Sequence, residues 1–155
     1  MKKLLITNSG NWSALVARLV LGATVFAHGA QKLFGWFGGY GFKGTMGFLT
    51  GQVGLSSFIA LMVILIESVA AVMIIAGAFT RVAAIGIFGL FAVIMFKFHS
   101  VNGFFMNWAG NQKGEGIEYF IILLGVALTL VIAGGGKASI DAALITNKSN
   151  NNSAV

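Results

Sequence analysis

Hydrophobic residues fall into four long runs, Trp12 to Phe34, Leu55 to Phe79, Val82 to Phe98 and Ile117 to Ala133, separated by stretches that are polar or rich in glycine and aromatics. Runs this long and this rich in Ala and Leu read as helices, because a buried strand is much shorter. At a rise of about 1.5 Å per residue the shortest run reaches about 25 Å, the low end of what crosses a hydrocarbon core. Slight bilayer thinning, or flanking side chains that reach the headgroups, lets all four span. The pattern predicts an all-α protein: a four-helix transmembrane bundle over residues 12–145, a short cytoplasmic tail over 1–11 and a disordered polar tail over 146–155. The segment Met1 to Ile6 begins like a signal peptide, but the chain turns polar at Thr7 after three apolar residues, too few for a signal core.

The connections fix the arrangement further. Only Thr80 and Arg81 separate the second and third runs, which makes those two helices antiparallel neighbours. The longer connections, Gly35 to Gly44 and His99 to Gly116, then share the opposite face. Their Trp36, Tyr40, Phe104, Phe105 and Trp108 suit a headgroup-level belt or a cap over the bundle mouth. Lys2, Lys3, Arg81, Lys137 and Lys148, with Arg18 nearby, outnumber Lys32, Lys43, Lys97 and Lys113 on the other face, which orients both termini to the cytoplasm. Proline is absent, so straight helices are expected.

Composition agrees with lipid as the solvent. The chain is 57% hydrophobic and 9% charged, and a mean hydropathy of +0.91 leaves too little polar surface for a water-soluble fold of this size. The net charge of +6 comes from scattered residues, not from a basic run. It is explained by cytoplasmic loops and headgroup contacts without a nucleic-acid partner. The chain has no cysteine, which removes disulfides, thiol relays and Cys-ligated iron–sulfur clusters.

Charged groups inside spanning segments cost about 2.5 to 3.5 kcal/mol each, so each needs a partner or a purpose. On the second helix Glu67 is flanked by Ala60, Ala70 and Ala71, and on the first Arg18 shares a face with Ala14, Gly22 and Gly29. Small residues mark helix contacts, so Arg18 and Glu67 are expected to meet as a register-fixing ion pair, the alternative being an unpaired Glu67 in a ligand cavity or proton path. A second cluster lies toward the glycine-aromatic loop. His28, Gln31 and Lys32 share one helical face, at the same end as Lys97, His99, Asn102, Glu115 and Glu118.

Three readings of that cluster stay open. In one, the lysines snorkel and pair at the interface, as Lys32 or Lys97 with Glu118. In another, the cluster forms a pocket for a polar or quinone-like headgroup, with His28 and Lys32 as donors. Or His28, His99 and the two glutamates hold a metal or haem, for which the carboxylates are too few and the Glu-x-x-His pairs missing. No Ser-His-Asp arrangement, zincin motif, P-loop or dinucleotide fingerprint is present.

At these residues the chain resembles the DoxX family of membrane proteins. The likeness runs from about Ala14 to Leu144. It is carried by Ala17-Arg18-Leu19, His28 to Gly35, Gly44-Thr45, Glu67 followed by Gly77 to Arg81, Phe98-His99 with Asn102 to Phe105, Gly116 to Tyr119, and Gly134 to Asp141. The resemblance implies a four-helix protein of the bacterial inner membrane, linked to quinone-dependent oxidoreduction. Some relatives are subunits of a thiosulfate:quinone enzyme, whose sulfur-handling subunit is not in this chain. It places Arg18, His28, Gln31, Lys32, Glu67, His99, Glu118 and Asp141 on the family's marked positions, with Asp141 expected to pair with Arg81 or Arg18. The expected roles are a quinone held under the glycine-aromatic loop, His28, Lys32 and Glu118 handling its oxygens and protons, and electrons from a partner subunit. Membrane lipid and a second copy of the chain are further expected partners. The alternative is a transport, lipid-binding or scaffold protein.

Overall fold

A computed structural model describes residues 6–152; the expected tail residues 1–5 and 153–155 lie outside them. Among the described residues there are helices and no strand. We number the helices α1 (Trp12–Phe34), α2 (Gly41–Gly51), α3 (Ser57–Ala76), α4 (Thr80–Asn102), α5 (Glu118–Ala133) and α6 (Ile140–Asn152). By length and composition α1, α3 and α4 can each cross a membrane, whereas α5 is as apolar but has only 16 residues. That is about 24 Å of helix, just short of the usual span.

The four apolar helices pack on one another, α1 against α3 and α5, and α4 against α5 and α3. Leu21, Val25, Ile74, Ile87, Leu123 and Leu130 fill the space between them. The outward faces carry Val16, Val20, Val72, Ile85, Val93 and Ile122, all exposed. An apolar exterior on this scale belongs against lipid, where it carries no aggregation penalty.

Glycine sets the register of α1 on α3. Gly22 and Gly29 lie seven residues apart, on one face. A Cβ on Gly22 would meet the side chain of Ile75 and the backbone of Ala71, and one on Gly29 would overlap the backbone of Glu67 and Ser68. The two backbones therefore touch where a larger residue would hold them apart, which is how small residues drive association in lipid. The consequence is a fixed level: Glu67 lies beside Gly29, near the end of α1 remote from Arg18.

Two of the helices are not α-helical throughout, although the chain has no proline. α3 contains a π-helical turn at Ile66–Ala70, and α4 contains another at Met95–His99. An extra residue in a turn breaks the i→i−4 ladder without proline, and such turns cluster at functional sites. The first is braced by Ser68, whose Oγ donates to the carbonyl of Ile64 at 2.6 Å.

Two further elements differ from the sequence reading. The glycine-aromatic connection is not all loop: after a 3-10 turn at Trp36–Gly38 it forms α2, despite glycine at 41, 44, 47 and 51. Thr45 and Leu49, four residues apart, are its buried positions, and packing against α1 offsets the poor helix propensity of glycine. At the other end, the stretch from Thr146 was expected to be a disordered tail, yet α6 continues to Asn152. Its first turn is capped by Ser139, whose Oγ accepts from the Ala142 amide at 3.1 Å, and once nucleated a helix extends at little cost per residue.

The Gly29 contact makes a sharp prediction. Gly29→Ala forces the α1 and α3 backbones apart and should destabilise the protein by about 1–3 kcal/mol. Gly125→Ala on α5, where a Cβ meets nothing within 4 Å, should be neutral or slightly stabilising. Thermal unfolding of both variants in one detergent compares them directly.

Candidate functional site

The side chains along one edge of α1 recur every fourth residue: Thr24, His28 and Lys32. All three line a cavity of about 500 Å³. Glu67 enters it from the π turn of α3, His99 from the π turn of α4, and Tyr119 from the first turn of α5. Phe91, Ile94, Met106 and Phe120 supply apolar wall. The His99 ring leans on Phe120, with ring centroids 4.4 Å apart.

The ion pair inside this cavity is Lys32 with Glu67. The carboxylate side chain is 2% exposed and the lysine 26%, so the pair reaches from the bundle interior toward the cavity opening. The expected pairing of Glu67 with Arg18 is not formed. Fourteen residues, about 21 Å of helix, separate Arg18 from Lys32, and the glycine register seats Glu67 at the lysine's level. Lys32 is thereby also unavailable to Glu118.

Glu118 does not line the cavity. It organises the connection above it: the Glu118 amide donates to the carbonyl of Phe104 at 2.9 Å, and its Oε2 accepts from the Met106 amide at 3.2 Å. Glu115 does line the cavity, and it also holds the connection, accepting from the Asn107 amide through Oε2 at 2.6 Å. Its backbone carbonyl faces His99 Nδ1 at 2.9 Å. Because a carbonyl can only accept, that contact places a proton on Nδ1. Gln31 points to the other side of α1. Its Nε2 donates to the carbonyl of Phe37 at 3.3 Å, and it lines a second cavity of about 270 Å³ under Gly38, Gly39 and Tyr40, which Lys32 also borders. Lys97 is exposed.

Arg18, Arg81 and Asp141 gather at the opposite end of the bundle, but not as ion pairs. Arg18, 1% exposed, donates through one guanidinium nitrogen to the carbonyls of Lys137 and Ala138, at 3.2 and 3.0 Å. Arg81 donates to the carbonyl of Ile6 at 3.0 Å. Asp141, also buried, accepts from the amides of Phe79 and Thr80 at 2.8 and 2.9 Å and from the Thr80 hydroxyl at 2.8 Å. A carboxylate supplied by α6 thus caps the N-terminus of α4, where the helix dipole favours negative charge. Phe79 and Ala138 both hold a left-handed backbone, φ 47° and 52°, and the Asp141 and Arg18 hydrogen bonds hold these two strained residues in place.

Sequence reasoning missed Thr24 and Tyr119 as cavity residues. A signal for both existed. Thr24 extends the His28–Lys32 stripe by one turn, and Tyr119 precedes the buried Leu123, Ala127 and Leu130 at helical spacing. Among the described residues no three His, Asp or Glu side chains converge as metal ligands.

Comparison with known proteins agrees with the fold. The DoxX family model matches residues 13–100, which take in α1 to α4 nearly whole. The chain belongs to the DoxX family and is a membrane protein. Neither the curated proteins nor the solved structures compared with it contain a match.

The role of Asp141 is testable apart from the cavity. Asp141→Ala removes three hydrogen bonds and should cost about 3 kcal/mol, with faster amide hydrogen exchange at Phe79 and Thr80. Arg81→Ala should change stability by less than about 1 kcal/mol and leave exchange at Thr80 unaltered.

Proposed function

We propose that this protein binds a quinone, or a similar ring bearing carbonyl oxygens, in the α1/α3/α4/α5 cavity, and supports membrane-linked oxidoreduction together with a partner subunit. The observation that carries the reading is the cavity's composition: aromatic and aliphatic walls, with a Lys–Glu pair and two imidazoles placed among them. Its volume falls within the range of small-molecule sites, about 300–1,000 Å³.

The residues present fit such a ring. Phe91, Ile94 and Phe120 offer flat apolar surface, while His28 and Lys32 offer N–H donors for oxygens at its edge. A bound quinone would supply carrier chemistry for two electrons and two protons. The chain's part is to hold polar groups near the ring: the Lys32–Glu67 pair reaches into the cavity, and His28, which is exposed at the cavity, is placed to pass protons between the ring and the surroundings. Glu67 takes the place that sequence reasoning gave to Glu118. The electrons are assigned to a partner, because the chain carries no cysteine for a thiol or cluster relay. We place the protein in a bacterial inner membrane with both termini in the cytoplasm, so that the cavity lies in the outer half of the bilayer.

Purification in mild detergent followed by organic extraction tests the reading. Quinone should co-purify with the native chain and be lost from His28→Ala. Quinone-free protein that moves a solute across liposomes would favour the transport alternative instead.

A further inference from the structure

The end of the bundle away from the cavity carries positive charge that no acidic side chain answers. The sequence holds four acidic residues. Glu67, Glu115 and Glu118 lie at the cavity end, and Asp141 is buried and spent on the amides of Phe79 and Thr80. Lys137, at the Asp141 end, therefore has no carboxylate side chain to pair with.

Its position is nonetheless fixed. The Lys137 amide donates to the Asn11 carbonyl at 3.0 Å, its carbonyl accepts from the buried Arg18 at 3.2 Å, and its ammonium lies 3.9 Å from the centroid of the Trp12 ring. A cation seated on a ring face keeps N–H donors on its far side. Arg18, a charge that a spanning helix carries at a cost, thus holds the segment that presents Lys137 over Trp12.

Beside Trp12 the surface is hollow. Between α1 and α5 runs a groove of about 500 Å³, with Trp12 and Ser13 at one end and Val16, Ala17, Val20 and Val126 along it. Trp12 opens the spanning helix α1, which sets it at headgroup level. Val20 lies eight residues further on, about 12 Å deeper. A cation at the surface above an apolar slot fits an amphiphile and not a soluble anion.

We propose that this groove binds an anionic phospholipid: one acyl chain lies along Val16, Val20 and Val126, and the Lys137 ammonium meets the phosphate beside Trp12. Basic pockets between spanning helices recognise acidic headgroups in this way. A zwitterionic headgroup is disfavoured, because it brings its own cation to an end of the protein that has no free carboxylate side chain to receive it. The site lies at the opposite end from the cavity and does not depend on the quinone reading.

Trp12 itself reports occupancy. Trp36→Phe with Trp108→Phe, both exposed, leaves Trp12 as the one tryptophan. In phosphatidylcholine bilayers, brominated phosphatidylglycerol and brominated phosphatidylcholine are then compared as quenchers of its fluorescence. Phosphatidylglycerol should be preferred about fivefold, the worth of one lysine near a membrane surface. Lys137→Gln should abolish the preference and Arg81→Gln should keep it. Val20→Phe, which fills the groove from an exposed position, should weaken quenching by both lipids. Equal quenching by the two lipids in the parent protein, or a preference that survives Lys137→Gln, would overturn the proposal. An equal loss in Arg81→Gln would trace the preference to the charge of the whole face, and unchanged quenching in Val20→Phe would leave the groove empty of lipid; either result sinks the site. Absence of quenching by both lipids would show the groove covered by protein, as by a second copy of the chain, and contradict it as well.

Discussion

A lysine and a carboxylate taken into lipid must find each other, and in this protein the pairing of Lys32 with Glu67 is the constraint around which the bundle is arranged. Either charge alone would be expensive in hydrocarbon, and together they still need a wall that keeps acyl chains away. α1 and α3 supply that wall by approaching through Gly22 and Gly29, and the same approach decides which residues of the two helices stand level. The glycine contact and the ion pair thus specify one register, and a shift of α1 by a turn would break both.

That register has a chemical consequence. It carries Glu67 to the end of the bundle where α4 and α5 bring His99 and Tyr119, so the charged pair becomes the floor of a cavity instead of a buried clasp. The π turns act in the same direction. Each sits where a helix delivers a polar side chain to the cavity, Glu67 on α3 and His99 on α4, and an extra residue in the turn re-aims the side chains around it. At the opposite end Asp141 ties α6 to the start of α4, and Arg18 ties the α5–α6 connection to α1, both through backbone groups. That end is tied together by side chains bonded to backbone, and the other gathers its polar side chains around a cavity.

The helical frame was legible because lipid imposes it: four apolar runs name four helices, and the first run coincides with α1 to the residue. The polar cluster was half legible. His28, Lys32 and His99 were placed together by helical spacing and by the parity of the connections, which depend on local periodicity alone. Which acid joins them was not, since choosing between Glu67 and Glu118 requires the relative height of two helices. Small residues at Ala70 and Ala71 marked the correct face of α3 but not its level. Asp141 misled for a related reason: a carboxylate near two arginines reads as an ion pair, whereas the chain spends it on the amides of Phe79 and Thr80, donors invisible in a list of side chains. The π turns left no trace that proline or glycine rules could detect, because they arise from packing.

The claim that Lys32 and Glu67 are energetically one unit is tested most directly by a double-mutant cycle on unfolding in detergent or lipid. Lys32→Met or Glu67→Gln alone should each cost about 3 kcal/mol, and the double variant should cost less than the sum by about 2 kcal/mol or more. Additivity within about 0.5 kcal/mol would mean that the two residues do not depend on each other, and the account built on their pairing would be contradicted.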